Sequence, residues 1–297
     1  MRCYLLVLAV AISCTACNFN KVYLQPQPLP PAVKKLRMTN PVTGDTTVVY
    51  FSGNNLLPEL KDGRDQPKKT GFTIQSNFIK SSSGNDIYSW FVKPVNSKPL
   101  ATILFLHGNA GNILSHISSV LPLVQQQYQV LIIDYSGFGF SGGSATRSNV
   151  RKDANTALRW LSALPGVKDG KLVVYGQSLG GHLAAVVAAD NEQLVDGLII
   201  EGAFSSHKDI AAARMPVLGR ALVNEQYSAM EALSRFHKPV LVIHSTEDKV
   251  IPFFMGKKLY EQANQPKQFY EIGHAHIEGP EYYADSISQK LKRMLNI

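Results

Sequence analysis

The stretch that decides the fold is Lys171–Asp190, with the sequence KLVVYGQSLGGHLAAVVAAD. A short apolar run, Leu172–Tyr175, leads into the pentapeptide Gly176–Gly180, and an Ala- and Val-rich segment of helical character follows at once. This order predicts a strand, a sharp turn and a helix, with Ser178 at the apex of the turn. Glycines fit such a turn because a Cβ on either side of the serine would clash. The pattern therefore makes Ser178 a candidate nucleophile.

A second Gly-x-Ser-x-Gly sequence, Gly139–Gly143, places Ser141 in a similar position. The apolar run before it, Val130–Asp134, ends several residues earlier, and a polar stretch follows where a helix would be required. Ser141 is therefore predicted to lie in a glycine-rich loop. The strand before Ser178 and the helix after it favour Ser178 as the nucleophile.

The composition indicates a globular protein, since 45% of the 297 residues are hydrophobic, which is enough for a sizeable core. The formal net charge is +8, but the lysines and arginines are scattered and are not interleaved with aromatic residues in one stripe. That distribution favours a solvated surface, attractive at most to an anionic membrane, over a nucleic-acid site. The three cysteines lie within the first 17 residues, which excludes a disulfide framework, a thiol nucleophile and a Cys-based metal site in the body.

The N-terminus has the pattern of a secretory signal: Met1-Arg2, an apolar run of about a dozen residues and a small-residue end. The apolar run is too short for a comfortable transmembrane helix. The end, Ser13–Cys17, resembles a bacterial lipoprotein signal, in which cleavage exposes a cysteine that then carries lipid. Cys17 fits that resemblance better than Cys14, which occupies a position usually taken by an aliphatic residue. We expect a membrane-anchored lipoprotein of the cell envelope; the alternative is plain signal cleavage and a soluble periplasmic or secreted protein.

Three regions are predicted along the chain: a signal peptide over 1–16, a lipid-anchored tether with an N-terminal extension over 17–70, and one α/β domain over 71–297. Residues 18–45 lack periodicity and carry a cluster of prolines, which suits an extended tether. From residue 71 onward, a hairpin is followed by apolar strands that alternate with helical patterns, which predicts a mostly parallel sheet with helices on both faces. The predicted strands are Phe72–Ile79, Ile87–Val92, Thr102–Leu106, Val130–Asp134, Leu172–Tyr175, Gly197–Glu201, Val240–His244 and Gln268–Ile272.

Four motifs follow strands of this predicted sheet: HGNAGN at His107–Asn112, the turn around Ser178, Asp248, and a C-terminal histidine. In this order they resemble the α/β-hydrolase superfamily, and the resemblance covers residues 71–297. HGNAGN and the stretch DYSGFGFSGG look like the branch that holds protein depalmitoylases, monoacylglycerol and lysophospholipid lipases, and their bacterial relatives. The resemblance implies an α/β-hydrolase fold, with a mostly parallel eight-stranded sheet, an antiparallel N-terminal hairpin and no large cap.

The resemblance also implies a catalytic triad in the chain order serine, acid, histidine. A serine hydroxyl needs a histidine to take its proton, and a carboxylate must hold that imidazole in the right tautomer. Asp248, in HSTEDKVIP, is the expected acid, and Glu201 at the end of the sixth strand is its rival. The family pattern G-x-G-H favours His276 over His274 as the base. The predicted triad is therefore Ser178, Asp248 and His276.

An oxyanion forms when a serine attacks a carbonyl, and backbone N–H groups must stabilise it. One donor is expected to be the amide of Leu179 at a helix N-terminus, and by resemblance the other is the amide of Asn109. The family loop usually has an arginine where Ser136 stands. The loop Gly137–Gly143 lacks both the Lys-Ser/Thr of a phosphate loop and the acidic residue of a dinucleotide site, so neither is predicted there. A serine hydrolase of this kind is expected to need no metal and no organic cofactor.

The segment 202–238, between the sixth and seventh strands, is too short for a large cap domain. Its apolar residues predict either a low lip over the site or the packed face of small helices. An open site suits acyl groups on bulky carriers, including lipids and acylated proteins. The sequence therefore predicts a serine hydrolase that cleaves carboxylic esters or thioesters through an acyl-Ser178 intermediate. The alternatives are a serine peptidase on the same fold and a non-catalytic envelope lipoprotein that uses the fold as a binding scaffold.

Overall fold

The structure is a computed structural model, and it describes residues 23–39, 44–95 and 97–297. The predicted signal peptide and the candidate lipidation sites Cys14 and Cys17 lie outside these residues. Within the three described ranges, no helix combines the length and the apolar character that crossing a bilayer requires.

The strands and helices of the described residues follow the alternation that the sequence predicts. The strands are β1 (Gln25–Pro26), β2 (Lys35–Thr39), β3 (Thr46–Ser52), β4 (Leu57–Asp62), β5 (Phe72–Lys80), β6 (Asp86–Pro94), β7 (Thr102–Leu106), β8 (Ala110–Gly111), β9 (Gln129–Ile133), β10 (Leu172–Gln177), β11 (Gly197–Glu201), β12 (Val240–Ser245) and β13 (Lys267–Ile272). The helices are α1 (Ile113–Gln125), α2 (Arg147–Ser162), α3 (Leu179–Asp190), α4 (His207–Arg214), α5 (Gly219–Leu222), α6 (Ala229–Arg235), α7 (Phe253–Gln262) and α8 (Gly279–Leu295).

One eight-stranded sheet, in the order β5-β6-β9-β7-β10-β11-β12-β13, forms the centre of the molecule. The β5–β6 hairpin and the β6–β9 pair are antiparallel, and the remaining pairs of this sheet are parallel. The sheet confirms the predicted α/β-hydrolase fold, with its antiparallel hairpin at the N-terminal end. Because β7, β10, β11, β12 and β13 are parallel, the loops that follow them emerge at one edge of the sheet.

Helices cover both faces of the sheet, α1 and α8 on one side and α2, α3, α6 and α7 on the other. Each face encloses an apolar cluster. Leu183 and Ile200 belong to the first cluster, and Phe105, Val120 and Ile287 to the second. Burying one aliphatic or aromatic side chain contributes about 1.5–3 kcal/mol, so the two clusters hold the sheet and its loops in place.

Residues 23–39 differ from the extended tether that the proline-rich sequence predicted. Strand β1 pairs in parallel with β8, and β2, β3 and β4 form an antiparallel three-stranded sheet. Val49 and Phe51 of β3 are buried in the second apolar cluster. Proline suits an edge strand as well as a tether, since some N–H groups of an edge strand face away from the sheet, and composition alone does not separate the two. The division of the chain at residues 16 and 70 stays a prediction.

Candidate active site

Ser178 lies at the sharp turn between β10 and α3, so the predicted strand, turn and helix are all present. Its φ and ψ are 55° and −116°, a conformation that is costly for a residue with a side chain. The turn is also tight. A Cβ at Gly176 would overlap the carbonyl oxygen of Gly180, and a Cβ at Gly180 would overlap that of Leu106. The packing around the turn therefore holds the Ser178 backbone in its strained conformation.

Ser141, the serine of the second Gly-x-Ser-x-Gly sequence, lies in a loop after β9. Its Oγ donates to the carbonyl of Asp134 over 2.7 Å and accepts the amide of Tyr88 over 2.8 Å. Both bonds connect the loop to neighbouring backbone. The hydroxyl of Ser141 thus stabilises the glycine-rich loop, as expected for a structural serine.

His276 and Asp248 lie together on the loops after β13 and β12. Nδ1 of His276 donates to Oδ2 of Asp248 over 2.6 Å. The other carboxylate oxygen accepts the amides of Val250 and Ile251, each over 2.8 Å. Burial disfavours the charged carboxylate, but the hydrogen bond and charge of His276 and the two amides lower the pKa of Asp248 below its ordinary value. A charged carboxylate on Nδ1 leaves Nε2 of the imidazole as the nitrogen that can accept a proton.

The loop that carries His276 lies beside the serine turn and is bonded to it. Nε2 of Gln177, the residue before the serine, donates to the carbonyl of Ile277 over 2.9 Å. The ring of His276 lies beside Gly202, where a Cβ would be 3.2 Å from the imidazole Cε1. The carbonyl of Glu201 in turn accepts the amide of the serine over 2.9 Å. The adjacent residues Glu201 and Gly202 therefore contact the serine and the imidazole, respectively.

His274, the other candidate base, is exposed and turned toward a different partner. Its ring stacks on that of Tyr282, with 3.9 Å between the ring centroids and 8° between the planes. Its carbonyl accepts the hydroxyl of Ser245. Of the two histidines, the structure therefore brings His276 to Asp248.

Glu201, the rival acid, is buried beneath the site with 1% of its surface exposed. Its carboxylate accepts the hydroxyl of Tyr175 over 2.6 Å, Nε2 of Gln177 over 2.9 Å and the amide of Gly279 over 2.7 Å. Burial raises the pKa of Glu201, although the three donors oppose that effect. This carboxyl group connects β10, β11 and α8, which supports a structural role.

The two candidate oxyanion donors belong to segments that adjoin the serine. Leu179 is the first residue of α3, and the first N–H groups of a helix have no partner within the helix. Asn109 lies in the loop after β7, where a Cβ at the preceding Gly108 would be 3.7 Å from Cβ of Ser178. Both residues therefore lie in segments next to Ser178, and their role as oxyanion donors stays a prediction.

One group of side chains has the composition of a metal site: His182, His207 and Glu225 bring one candidate ligand atom each within 4.8 Å of one another. Nδ1 of His207 donates to Glu225 over 2.9 Å, and Nδ1 of His182 donates to the carbonyl of Phe204 over 3.0 Å. Burial lowers the pKa of both histidines, which favours their neutral forms. The first bond lies within the segment after β11, and the second connects that segment to helix α3.

The segment between β11 and β12, which carries α4, α5 and α6, contains both exposed and packed apolar residues. Met215, Val217 and Leu218 are 49%, 91% and 56% exposed, whereas Val223 is buried. Phe254 of α7, at the same edge of the sheet, is 49% exposed. The exposed residues 215–218 form what we call the lip, and the rest of the segment packs on the body.

Sequence reasoning missed the contribution of the N-terminal segment to this site. The amide of Gln25 donates to the carbonyl of Asn109 over 2.8 Å, so β1 touches the loop that carries a candidate oxyanion donor. The alternation of residues in Gln25–Pro30, with proline at every second position, is typical of an edge strand and was the available signal.

Comparisons with known proteins agree with the fold. Residues 101–226 match the family model described as the alpha/beta hydrolase fold. The chain is 30% identical over 212 residues to the alpha/beta hydrolase domain-containing protein WAV2 of Arabidopsis thaliana, which covers 66% of this chain and 69% of that protein. It is 33% identical over 208 residues to the uncharacterized protein YfhR of Salmonella typhi, which covers 65% of this chain and 71% of YfhR. The chain therefore belongs to the α/β-hydrolase superfamily.

Solved structures share the architecture at lower sequence identity. The esterase Pf2001 of Pyrococcus furiosus superposes with a TM-score of 0.62 and 15% identity, covering 76% of this chain and 92% of that chain. Est1E of Butyrivibrio proteoclasticus, with ferulic acid bound, superposes with a TM-score of 0.63 and 15% identity, covering 74% of this chain and 100% of that chain. At these identities, the two structures show the fold alone.

Proposed function

We propose that the protein is a serine hydrolase that cleaves carboxylic ester or thioester bonds through an acyl-enzyme on Ser178. The observation that carries this proposal is the hydrogen-bonded pair of His276 and Asp248, on loops that border the strained serine turn. A serine on such a turn, a histidine and a charged carboxylate are the groups that nucleophilic acyl transfer requires. A protein of the same fold, Pf2001, is named an esterase, which supports the reaction class.

In the proposed reaction, Oγ of Ser178 attacks the substrate carbonyl and its proton passes to Nε2 of His276. Asp248 stabilises the imidazolium through Nδ1, and the amides of Leu179 and Asn109 donate to the oxyanion. The intermediate then expels the alcohol or thiol, which takes the proton from the imidazolium. Water, deprotonated by the same imidazole, finally hydrolyses the acyl-serine and restores the free hydroxyl.

The proposed substrate is an acyl group on a bulky carrier, such as a lipid or an acylated protein. The support is the lip: Met215, Val217 and Leu218 are exposed, and they belong to the segment that leaves the sheet after β11, the strand next to the one that leads into Ser178. Exposed apolar residues that cluster together are typical of surfaces that bind apolar partners. An acyl chain that is bound to Ser178 and extends toward the lip would cover these three side chains.

We also propose that the protein is anchored to a membrane of the cell envelope by lipid on Cys17. The support is the signal pattern that ends at this residue. Metabolic labelling of cells with an alkyne fatty acid tests the proposal. Label is expected in the wild type and in Cys14→Ser, and its persistence in Cys17→Ser would contradict a lipid at Cys17.

A fluorophosphonate probe tests the proposed nucleophile, because it reacts with serines that a neighbouring base has activated. We expect a covalent adduct that mass spectrometry locates on Ser178 and that disappears in Ser178→Ala. Ser141→Ala is the matched control, since it alters the other Gly-x-Ser-x-Gly serine, and it is expected to keep the adduct. A folded wild type without an adduct would favour a non-catalytic binding scaffold.

The bond that is cleaved is tested with two substrate series of matched leaving groups. We expect hydrolysis of p-nitrophenyl esters and of acyl thioesters, and slow or undetectable hydrolysis of aminoacyl p-nitroanilides. Faster cleavage of the anilides than of the esters would instead identify a serine peptidase on the same fold.

A further inference from the structure

Residues 23–29, which we call the strap, run along the loop that carries Asn109. The amide of Gln25 donates to the carbonyl of Asn109 over 2.8 Å, and the side-chain amide of Asn109 donates to the carbonyl of Tyr23 over 2.8 Å. The next available amide, that of Gln27, donates to the carbonyl of Gly111 over 3.1 Å. The strap therefore contacts the loop through backbone groups at three successive points.

The strap also bonds to the glycine-rich loop that carries Gly139. The carbonyl of Gln27 accepts the amide of Gly139 over 3.1 Å and the side-chain amide of Asn112 over 3.1 Å. The amide of Leu29 donates to the carbonyl of Gly139 over 2.6 Å. The strap thus bonds to two loops.

The proline pattern of the strap matches this arrangement. Gln25, Gln27 and Leu29 each use their amide to bond to the body, and the intervening residues at 26 and 28 are prolines, which have no N–H. A strand that bonds on one side needs only every second amide, so proline is tolerated at the others. Proline also restricts the unfolded chain, which lowers the entropy lost when the strap docks.

Side chains at the start of the strap fix its position. Leu24 is 3% exposed and belongs to the first apolar cluster. The ring of Tyr23 packs edge-on against Phe204, with 5.7 Å between the centroids, and lies 5.2 Å from the ring of His207. The strap therefore joins the Asn109 loop to the segment that follows β11.

We propose that the strap is a positioning element for the oxyanion hole, and that Gln25 and Tyr23 orient the backbone amide of Asn109. This inference rests on the proposed function, because it assigns the amide of Asn109 to the oxyanion. The strap fixes Asn109 on two sides, at its carbonyl and at its side chain, which restricts rotation about the bonds next to its Cα. An oxyanion donor acts only when its N–H already points at the developing charge, so loss of this restraint lowers the rate of acyl transfer.

The test compares two variants at Gln25, of which one keeps the backbone N–H and the other removes it. Gln25→Pro and Gln25→Ala both lack the glutamine side chain, but only the proline variant lacks the amide hydrogen that bonds to Asn109. We expect kcat for p-nitrophenyl acetate to be about tenfold lower in Gln25→Pro than in Gln25→Ala, with KM changed less than about twofold. The factor is smaller than the ~10²–10³ that follows from complete loss of one oxyanion donor, since the amide is misaligned rather than removed.

A second readout separates positioning from a general loss of structure. The affinity for a trifluoromethyl ketone, which forms a tetrahedral adduct on the serine, is expected to fall by the same factor as kcat. Asn109→Ala keeps the backbone amide but removes the bond to Tyr23, and it is expected to lower both quantities as well. Circular dichroism checks that each variant is folded.

The possible failures can be told apart. A wild type that neither hydrolyses esters nor reacts with a fluorophosphonate contradicts the proposed function. If the wild type is active and the folded variants Gln25→Pro and Asn109→Ala are as active as the wild type, the role of the strap is contradicted. The proposed function is not contradicted by that result. Loss of activity that appears only as a higher KM also contradicts it, since that result indicates an effect on substrate binding.

Discussion

At the scale of single residues, the candidate site depends on which of two neighbouring histidines faces Asp248. Both occur in Gly273–His276, and both follow the same strand. The sequence predicts the loop, but it cannot give the direction of each side chain. His274 and Ile277 have φ values of 67° and 57°, so the backbone adopts a left-handed φ at two positions within four residues. Only the geometry of the loop shows that His276 bonds to Asp248.

We expect His276→Ala to lower kcat for p-nitrophenyl acetate by about 10²–10⁴-fold, because it removes the group that we propose takes the serine proton. His274→Ala is the matched control, and its kcat is expected to stay within about threefold of the wild type. Steady-state kinetics at neutral pH measures both. A larger loss in His274→Ala than in His276→Ala would exchange the assigned roles.

At the scale of secondary-structure elements, the site is formed where the N-terminus of α3 packs against the loop after β7. Gly180 makes this approach possible, since a Cβ there would overlap the carbonyl oxygens of Leu106 and His107. The serine turn could be predicted from the sequence, because its strand, turn and helix are consecutive. The strap could not, because Gln27 and its partner Asn112 are 85 residues apart.

We expect Gly180→Ala to lower the free energy of unfolding by about 3 kcal/mol, since backbone atoms must move to admit the methyl group. The same movement displaces the amide of Leu179, so the rate of fluorophosphonate labelling should fall as well. Urea denaturation and timed labelling measure the two effects. Gly170→Ala is the control, because its Cβ would lie 3.5 Å from the carbonyl of Val167, an ordinary contact. Equal stability of the two variants would show that the helix is not closely packed at Gly180.

At the scale of the whole molecule, the parallel sheet brings together residues that are far apart in the sequence. Ser178, Asp248 and His276 each follow the carboxyl end of a strand, and β10, β11, β12 and β13 are neighbours in the sheet. The fold could be predicted because continuously apolar strands alternate with helical patterns from residue 71 onward. The lip could be predicted only as one of two alternatives, since exposed and packed apolar residues have the same composition.

We expect the double variant Val217→Asp/Leu218→Asp to reduce the preference for long acyl chains. Burial of apolar surface contributes about 0.8 kcal/mol per CH₂, so loss of part of this contact should raise KM for a long-chain p-nitrophenyl ester about tenfold. KM for the acetate ester should not change. Val95→Asp is the control: Val95 is 53% exposed, but it lies just past the end of β6 at the opposite edge of the sheet. An equal effect of Val95→Asp would exclude a specific role for the lip.

The docking of the strap beside Asn109 would limit the distance between the serine turn and a lipid on Cys17. Only five residues, Asn18 to Val22, separate Cys17 from the start of the strap at Tyr23. A fully extended chain spans at most about 3.6 Å per residue, so a lipid on Cys17 would keep the strap within about 20 Å of the bilayer. An enzyme anchored through so few residues would meet its substrates at the membrane surface. The residues that follow the strap do not change this distance.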